Sequence, residues 1–263
     1  MNDTIDRRTA LGTLAAASLG VLIDRRVPAL ARTGALGPLP SGVAVVFVHG
    51  AWADGSNWQS CVLPLERQGL TVMSAQLAMA TLSDDIATVQ RTLERTSGPV
   101  VLVGHAYSGA VVGSIHDDRV KSVVYIAALA PAEGETVADV FYKDPKPPLS
   151  PTLAPDAHGY IWQPDGGIEN ALSQNASADQ KRIMATTQRP IGVQCIKEKA
   201  PAPSWPAKPS WYLIAEEDRM INPKTEQFMA ARMNAKVRSV RVDHSPQVSA
   251  PHYVVDMIVE AAR

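Results

Sequence analysis

The stretch that decides the fold is V-V-L-V-G-H-A-Y-S-G, residues 100–109. Val100 to Val103 are apolar without alternation, as a strand covered on both faces requires. Gly104 ends the run, and small residues from Ser108 onward read as the start of a helix. A strand that turns sharply into a helix over Gly-His-Ala-Tyr-Ser has the form that lifts a nucleophile above a sheet. At the tip of that turn stands Ala106, a methyl group where a hydroxyl is expected.

Working outward, the same rhythm repeats. Residues 43–48 form another continuous apolar run, broken by His49-Gly50. Ser56-Asn57-Trp58-Gln59 reads as a capping box, with Ser56 as N-cap and a helix to about Gln68. A strand is expected at 70–75. A helix opened by Ser83-Asp84-Asp85 runs to about Arg95, its acids at the favourable end of the dipole. Beyond the turn come a helix to about His116 and a strand at 122–127. The pattern breaks over 131–206, which is rich in proline and has short amphipathic pieces near 168–172 and 178–186. It resumes with strands at 210–215 and 236–242 and helices at 223–233 and 250–262, the first opened by Pro223. Strands alternating with helices predict an α/β domain: a mostly parallel sheet with helices on both faces. Its core is 43–130 and 207–263, and 131–206 is a small inserted lid.

The chain has 263 residues, 46% apolar, and a net charge of −1. That suits one domain with a packed core and argues against nucleic acid as a partner. Arg7 and Arg8 precede a glycine-containing apolar run at 9–23, followed by Ala29-Leu30-Ala31, a small-x-small cleavage signal. Residues 1–31 resemble a twin-arginine export signal, with 32–42 as a leader. The destination implied is periplasmic or secreted, with no membrane contact after cleavage. That compartment permits disulfides, but Cys61 and Cys195 read as two separate buried thiols. No Cys/His spacing suggests a metal. Nothing in the sequence sets the oligomeric state.

Ligands of open parallel sheets sit at the carboxyl ends of the strands. Three such ends carry marked residues: His49-Gly50-Ala51-Trp52, the turn at 104–109, and the late pair Asp218 and His244. The order is turn, acid, histidine. F-V-H-G-A-W-A-D-G-S-N-W, V-L-V-G-H-A-Y-S-G-A, W-Y-L-I-A-E-E-D-R-M-I-N-P and V-R-V-D-H-S-P together resemble the α/β-hydrolase superfamily. The likeness is to its small bacterial esterase-like branch near plant methylesterases and hydroxynitrile lyases. The resemblance implies an α/β-hydrolase fold, a base His244 oriented by Asp218, and an oxyanion hole made by the Ala51 and Tyr107 N–H groups. No metal or organic cofactor is implied. Trp52 and His105 are candidate walls of a substrate pocket. Trp58 reads as core, His252, His116 and His158 as surface or structural, and Asp243 as a turn acid. Glu216 and Glu217 compete with Asp218 as the orienting acid.

The family pattern is Gly-x-Ser-x-Gly, and this chain departs at both Ala106 and Ser108. Losing a triad serine costs about 10⁶ in kcat, which excludes acyl-enzyme chemistry through position 106. The expectation is hydrolase-like chemistry on a small neutral ester or carbonyl compound, with His244 as general base and no serine nucleophile. A lyase fits the same base. Two alternatives stay open. Ser108 could serve as nucleophile in a turn shifted by two residues, or the frame could bind a small ligand and convert nothing.

Overall fold

The computed structural model describes residues 38–263. The expected export signal and the first part of the leader lie outside the described residues. The elements follow in chain order. They begin with β1 (Ala44–Val48), α1 (Gln59–Glu66), β2 (Thr71–Ala75), α2 (Leu82–Leu93), β3 (Val100–His105), α3 (Ser108–Gly113) and β4 (Val120–Ile126). The inserted segment supplies α4 (Val137–Phe141), β5 (Tyr160–Ile161), a π-turn at Ile168–Leu172, α5 (Ala178–Thr187), β6 (Ile191–Gly192) and α6 (Val193–Lys197). The chain closes with β7 (Ser210–Ala215), α7 (Pro223–Arg232), β8 (Lys236–Val240), α8 (Pro246–Ser249) and α9 (Pro251–Ala261).

Six strands form one sheet in the order β2-β1-β3-β4-β7-β8, each neighbouring pair parallel. The unbroken apolar runs have a direct cause. On β1, Val46 and Val48 enter the core on one face while Val45 and Phe47 enter that on the other. Full burial of each such side chain is worth about 1.5–3 kcal/mol, so a polar residue on either face would be costly. The edge strand β8 instead carries Lys236 and Arg238, which discourage pairing with another chain. In this order β1 lies between β2 and β3, so the connections out of β1 and β3 leave in opposite directions. Such a switch point opens a crevice above the strands' carboxyl ends.

Boundaries differ from the sequence expectation where local bonds compete. β3 continues to His105 because its ladder with β4 holds through Ile126. α3 stops at Gly113, where Ser114 and Ile115 close onto Val111 and Val112 in tight i→i+3 bonds. The Ser56 capping box is not formed. The Asp54 carboxylate accepts both the Ser56 N–H (2.8 Å) and the Ser56 hydroxyl (2.6 Å), caps a 3₁₀ turn at Gly55–Trp58, and leaves α1 to begin at Gln59. Cys61 and Cys195 are both free and buried, as read from the sequence.

Candidate active site

Ala106 has φ +51°. A residue with a Cβ adopts that left-handed backbone at a cost of about 1–3 kcal/mol, so the surroundings must hold it. The Ala106 N–H donates to Ile126 O (3.2 Å), and its carbonyl accepts from Gly109 (3.1 Å) and Leu129 (2.9 Å). The neighbours must also be small. A Cβ on Gly104 would lie 2.7 Å from Val112 Cγ2, and one on Gly109 would lie 2.4 Å from Leu129 O. The strained tip of the strand-to-helix turn is therefore position 106.

Ser108 does not take that role. It is fully buried at the start of α3. Its hydroxyl lies 2.7 Å from Val48 O and 2.9 Å from His105 O, and accepts the His105 N–H at 2.8 Å. Two residues along a new helix turn its side chain under the sheet end, so the shifted turn is corrected: this hydroxyl ties β1 to β3 and does not reach His244.

The loop after β7 carries Asp218. One carboxylate oxygen accepts the N–H groups of Met220 (2.6 Å) and Ile221 (2.8 Å); the other lies 2.6 Å from His244 Nδ1. Both side chains are buried. Donation from Nδ1 leaves Nε2 of the neutral ring as a proton acceptor. No described residue bonds Nε2, and His244 lines a cavity that also touches Ala106. The competing acids are engaged elsewhere: Glu216 accepts from Ser239, and Glu217 from Arg241.

That cavity encloses about 580 Å³ of empty space, with the open solvent at its mouth included. Ala51 and Tyr107 line it beside Ala106, and no described residue accepts either backbone N–H. Trp52 forms a wall, and its indole N–H donates to Ile161 O of β5 at 2.9 Å, tying the strand-end loop to the inserted segment. The remaining walls are apolar, with Leu129 and Ile221 from the core and Phe141, Ile191 and Ile196 from the insertion. Among the described residues, His244 and two tyrosines are the titratable side chains lining the cavity. His105 is not a pocket wall, contrary to expectation. Its buried ring contacts the His244 carbonyl through Nε2 at 2.7 Å, and burial, with the nearby His244, pushes its pKa well below the usual value. A neutral His105 thus braces the backbone of His244.

A model of the alpha/beta hydrolase family matches residues 45–257. The chain belongs to the alpha/beta hydrolase family. A carbendazim hydrolyzing esterase from Nocardioides sp. (strain SG-4G) is 24% identical over 58% of this chain and 68% of its own length. The crystal structure of polyneuridine aldehyde esterase superposes with a TM-score of 0.73 at 17% identity, over 85% of this chain and 100% of that one. The methylesterase MES16 from Arabidopsis gives 0.68 at 18%, over 83% and 98%. The solved structures share the fold, and the family match together with the esterase relative supports a hydrolase.

Two buried acids near the site escape a reading from sequence. The sequence marks Asp85 only as an acid at the favourable end of a helix dipole. It is instead fully buried, accepting from Met79 N–H (3.0 Å) and the Tyr107 hydroxyl (2.9 Å), with the Cys195 thiol 3.8 Å away. Burial pushes its carboxyl above the usual range. Glu226 is fully buried behind Asp218. A helical amphipathic pattern could have flagged Asp85, since Leu82, Val89 and Leu93 share its face. Asp243 is a turn acid as expected, bonding Ser245 and Ser249, but it is buried and also holds Asn175 of the insertion. Trp58 is core, stacked on Phe47 with centroids 4.5 Å apart. His116, His158 and His252 are exposed.

Proposed function

We propose that this alpha/beta hydrolase acts on a small, neutral, largely apolar ester or related carbonyl compound by general-base catalysis, with no covalent intermediate. A water held above the Ala106 methyl gives its proton to His244 Nε2 while its oxygen bonds to the substrate's carbonyl carbon. Asp218 stabilises the imidazolium, and the Ala51 and Tyr107 N–H groups receive the oxyanion. Collapse of the tetrahedral intermediate breaks the bond to the alcohol oxygen, which takes the proton back from His244. The carrying observation is the imidazole fixed at 2.6 Å from Asp218 and lining a cavity where position 106 offers no nucleophile. Neutral substrates follow from walls that hold no partner for a charge, since an unpaired buried charge is strongly disfavoured. The insertion at 131–206 serves as the lid that sets specificity, and a twin-arginine export signal at 1–31 makes the working compartment periplasmic or extracellular.

The test is hydrolysis of short p-nitrophenyl esters by the wild type and His244→Ala. The expected result is slow turnover without an acyl burst, falling at least about 10²-fold in the variant. Equal rates in the two proteins would overturn the reading. A ligand-binding protein that converts nothing is the second reading, favoured by the apolar walls. There, His244→Ala leaves ligand affinity unchanged and no turnover exists to lose.

A further inference from the structure

Asp218 has a second carboxyl group against it. Glu226 lies in the first turn of α7, and that helix packs back on β7 so that the side chain points toward the strand's carboxyl end. It is fully buried. Its Oε2 accepts the Ala215 N–H at 3.0 Å, Oε1 is buried with no donor beside it, and the carboxyl is within hydrogen-bonding reach of the Asp218 side chain. Two carboxylates in contact in a dry interior cannot both be ionised. The donors decide which holds the charge. Asp218 receives Met220 N–H, Ile221 N–H and His244 Nδ1, whereas Glu226 receives one backbone N–H. The charge therefore resides on Asp218 and the proton on Glu226. Burial first, and the Asp218 charge second, push the Glu226 carboxyl well above the ordinary carboxylate range. Tyr212 is the other titratable side chain facing Glu226, and its hydroxyl is already committed to the Ala128 backbone.

We propose that Glu226, as a neutral carboxylic acid, is a positioning residue for the Asp218–His244 pair, its Oε1–H donating to the Asp218 carboxylate. The bond fixes the carboxylate's plane, so that one oxygen stays aimed at His244 Nδ1 while the other keeps its two loop N–H groups. Glutamine can replace Glu226, because the amide NH₂ donates where the carboxyl OH did and the amide oxygen still accepts from Ala215.

The experiment is proton NMR of the full chain with ¹⁵N-labelled histidine, following the His244 Nδ1–H resonance, identified by its loss in His244→Ala. In Glu226→Gln the resonance should match the wild type near neutral pH. In Glu226→Leu the resonance should broaden or vanish. Ester hydrolysis introduced by Ala106→Ser should lose about 10- to 100-fold in kcat with little change in KM. A folded Glu226→Leu with the wild-type resonance would overturn the proposal. If that variant does not fold, the glutamine arm decides: a folded Glu226→Gln whose His244 resonance near neutral pH is broadened or lost would overturn it. This inference rests on the acid–histidine pair and not on turnover. A wild type inert toward esters would count against the proposed function alone.

Discussion

At the end of β3 the backbone is strained around a methyl group; in the loops beyond β7 and β8 a carboxylate and an imidazole meet at 2.6 Å. The two regions were specified differently. The turn is held by contacts that do not involve the side chain of residue 106: the close approaches at Gly104 and Gly109, and the Ser108 hydroxyl bridging to Val48. Position 106 can therefore lose its reactive group without losing its geometry. In the other region the reactive groups are themselves the scaffold. Asp218 ties down Met220 and Ile221 with the same carboxylate that meets His244. Chemistry and shape separate in the first region and coincide in the second.

The sharpest way to test that contrast is to restore the hydroxyl. Ala106→Ser should raise p-nitrophenyl ester hydrolysis by about 10⁴- to 10⁶-fold, with an acyl burst, because everything around it is assembled. A variant that folds and gains nothing would break the comparison. In that background Asp218→Asn should cost about 10⁴ in kcat, measured at fixed pH, by offering the histidine the wrong tautomer. It should also lower Tm, since the loop's anchor weakens with it.

A smaller effect appears on stability beside the turn. His49 donates from Nδ1 to Gly50 O, and its Nε2 accepts the Leu77 N–H at 3.0 Å. Burial lowers its pKa from 6.5 to about 4. The unfolded chain takes up this proton first, so the contribution of His49 is complete above pH 6.5 and is lost as pH falls toward 4. The urea-denaturation gap between wild type and His49→Gln should narrow by up to about 3 kcal/mol across that window. A constant gap would show that His49 does not titrate this way. Smaller still, Ser108→Ala should destabilise by about 1–3 kcal/mol through orphaned backbone groups. Native turnover should survive it; its abolition would return Ser108 to the chemistry.

The strands and the order of the marked residues were legible because burial on both faces leaves continuous apolar runs and because strand ends fall where those runs stop. Asp218 and His244 could be placed for the same reason. Ser108, His105 and Glu226 could not be assigned. A serine or histidine after a strand reads the same whether it faces the cavity or the sheet, and that depends on two residues of helical rotation. Glu226 and Asp85 each occupy a first helical turn, where an acid is favourable anyway. Only the strand or loop packed opposite shows that they are buried. The Asp54 cap, too, displaced the Ser56 box through a competition between a carboxylate and a hydroxyl that motif spacing does not rank.

The two thiols offer a last consequence. Cys61 lies in α1 on one side of the sheet and Cys195 in α6 of the insertion, and burial pushes both up to about 12. A thiolate-seeking reagent at neutral pH therefore finds neither in the closed molecule, so labelling counts openings. If Cys195 is modified faster than Cys61, the insertion beside the cavity opens more often than the far side of the sheet, and the ratio of the two rates measures that difference.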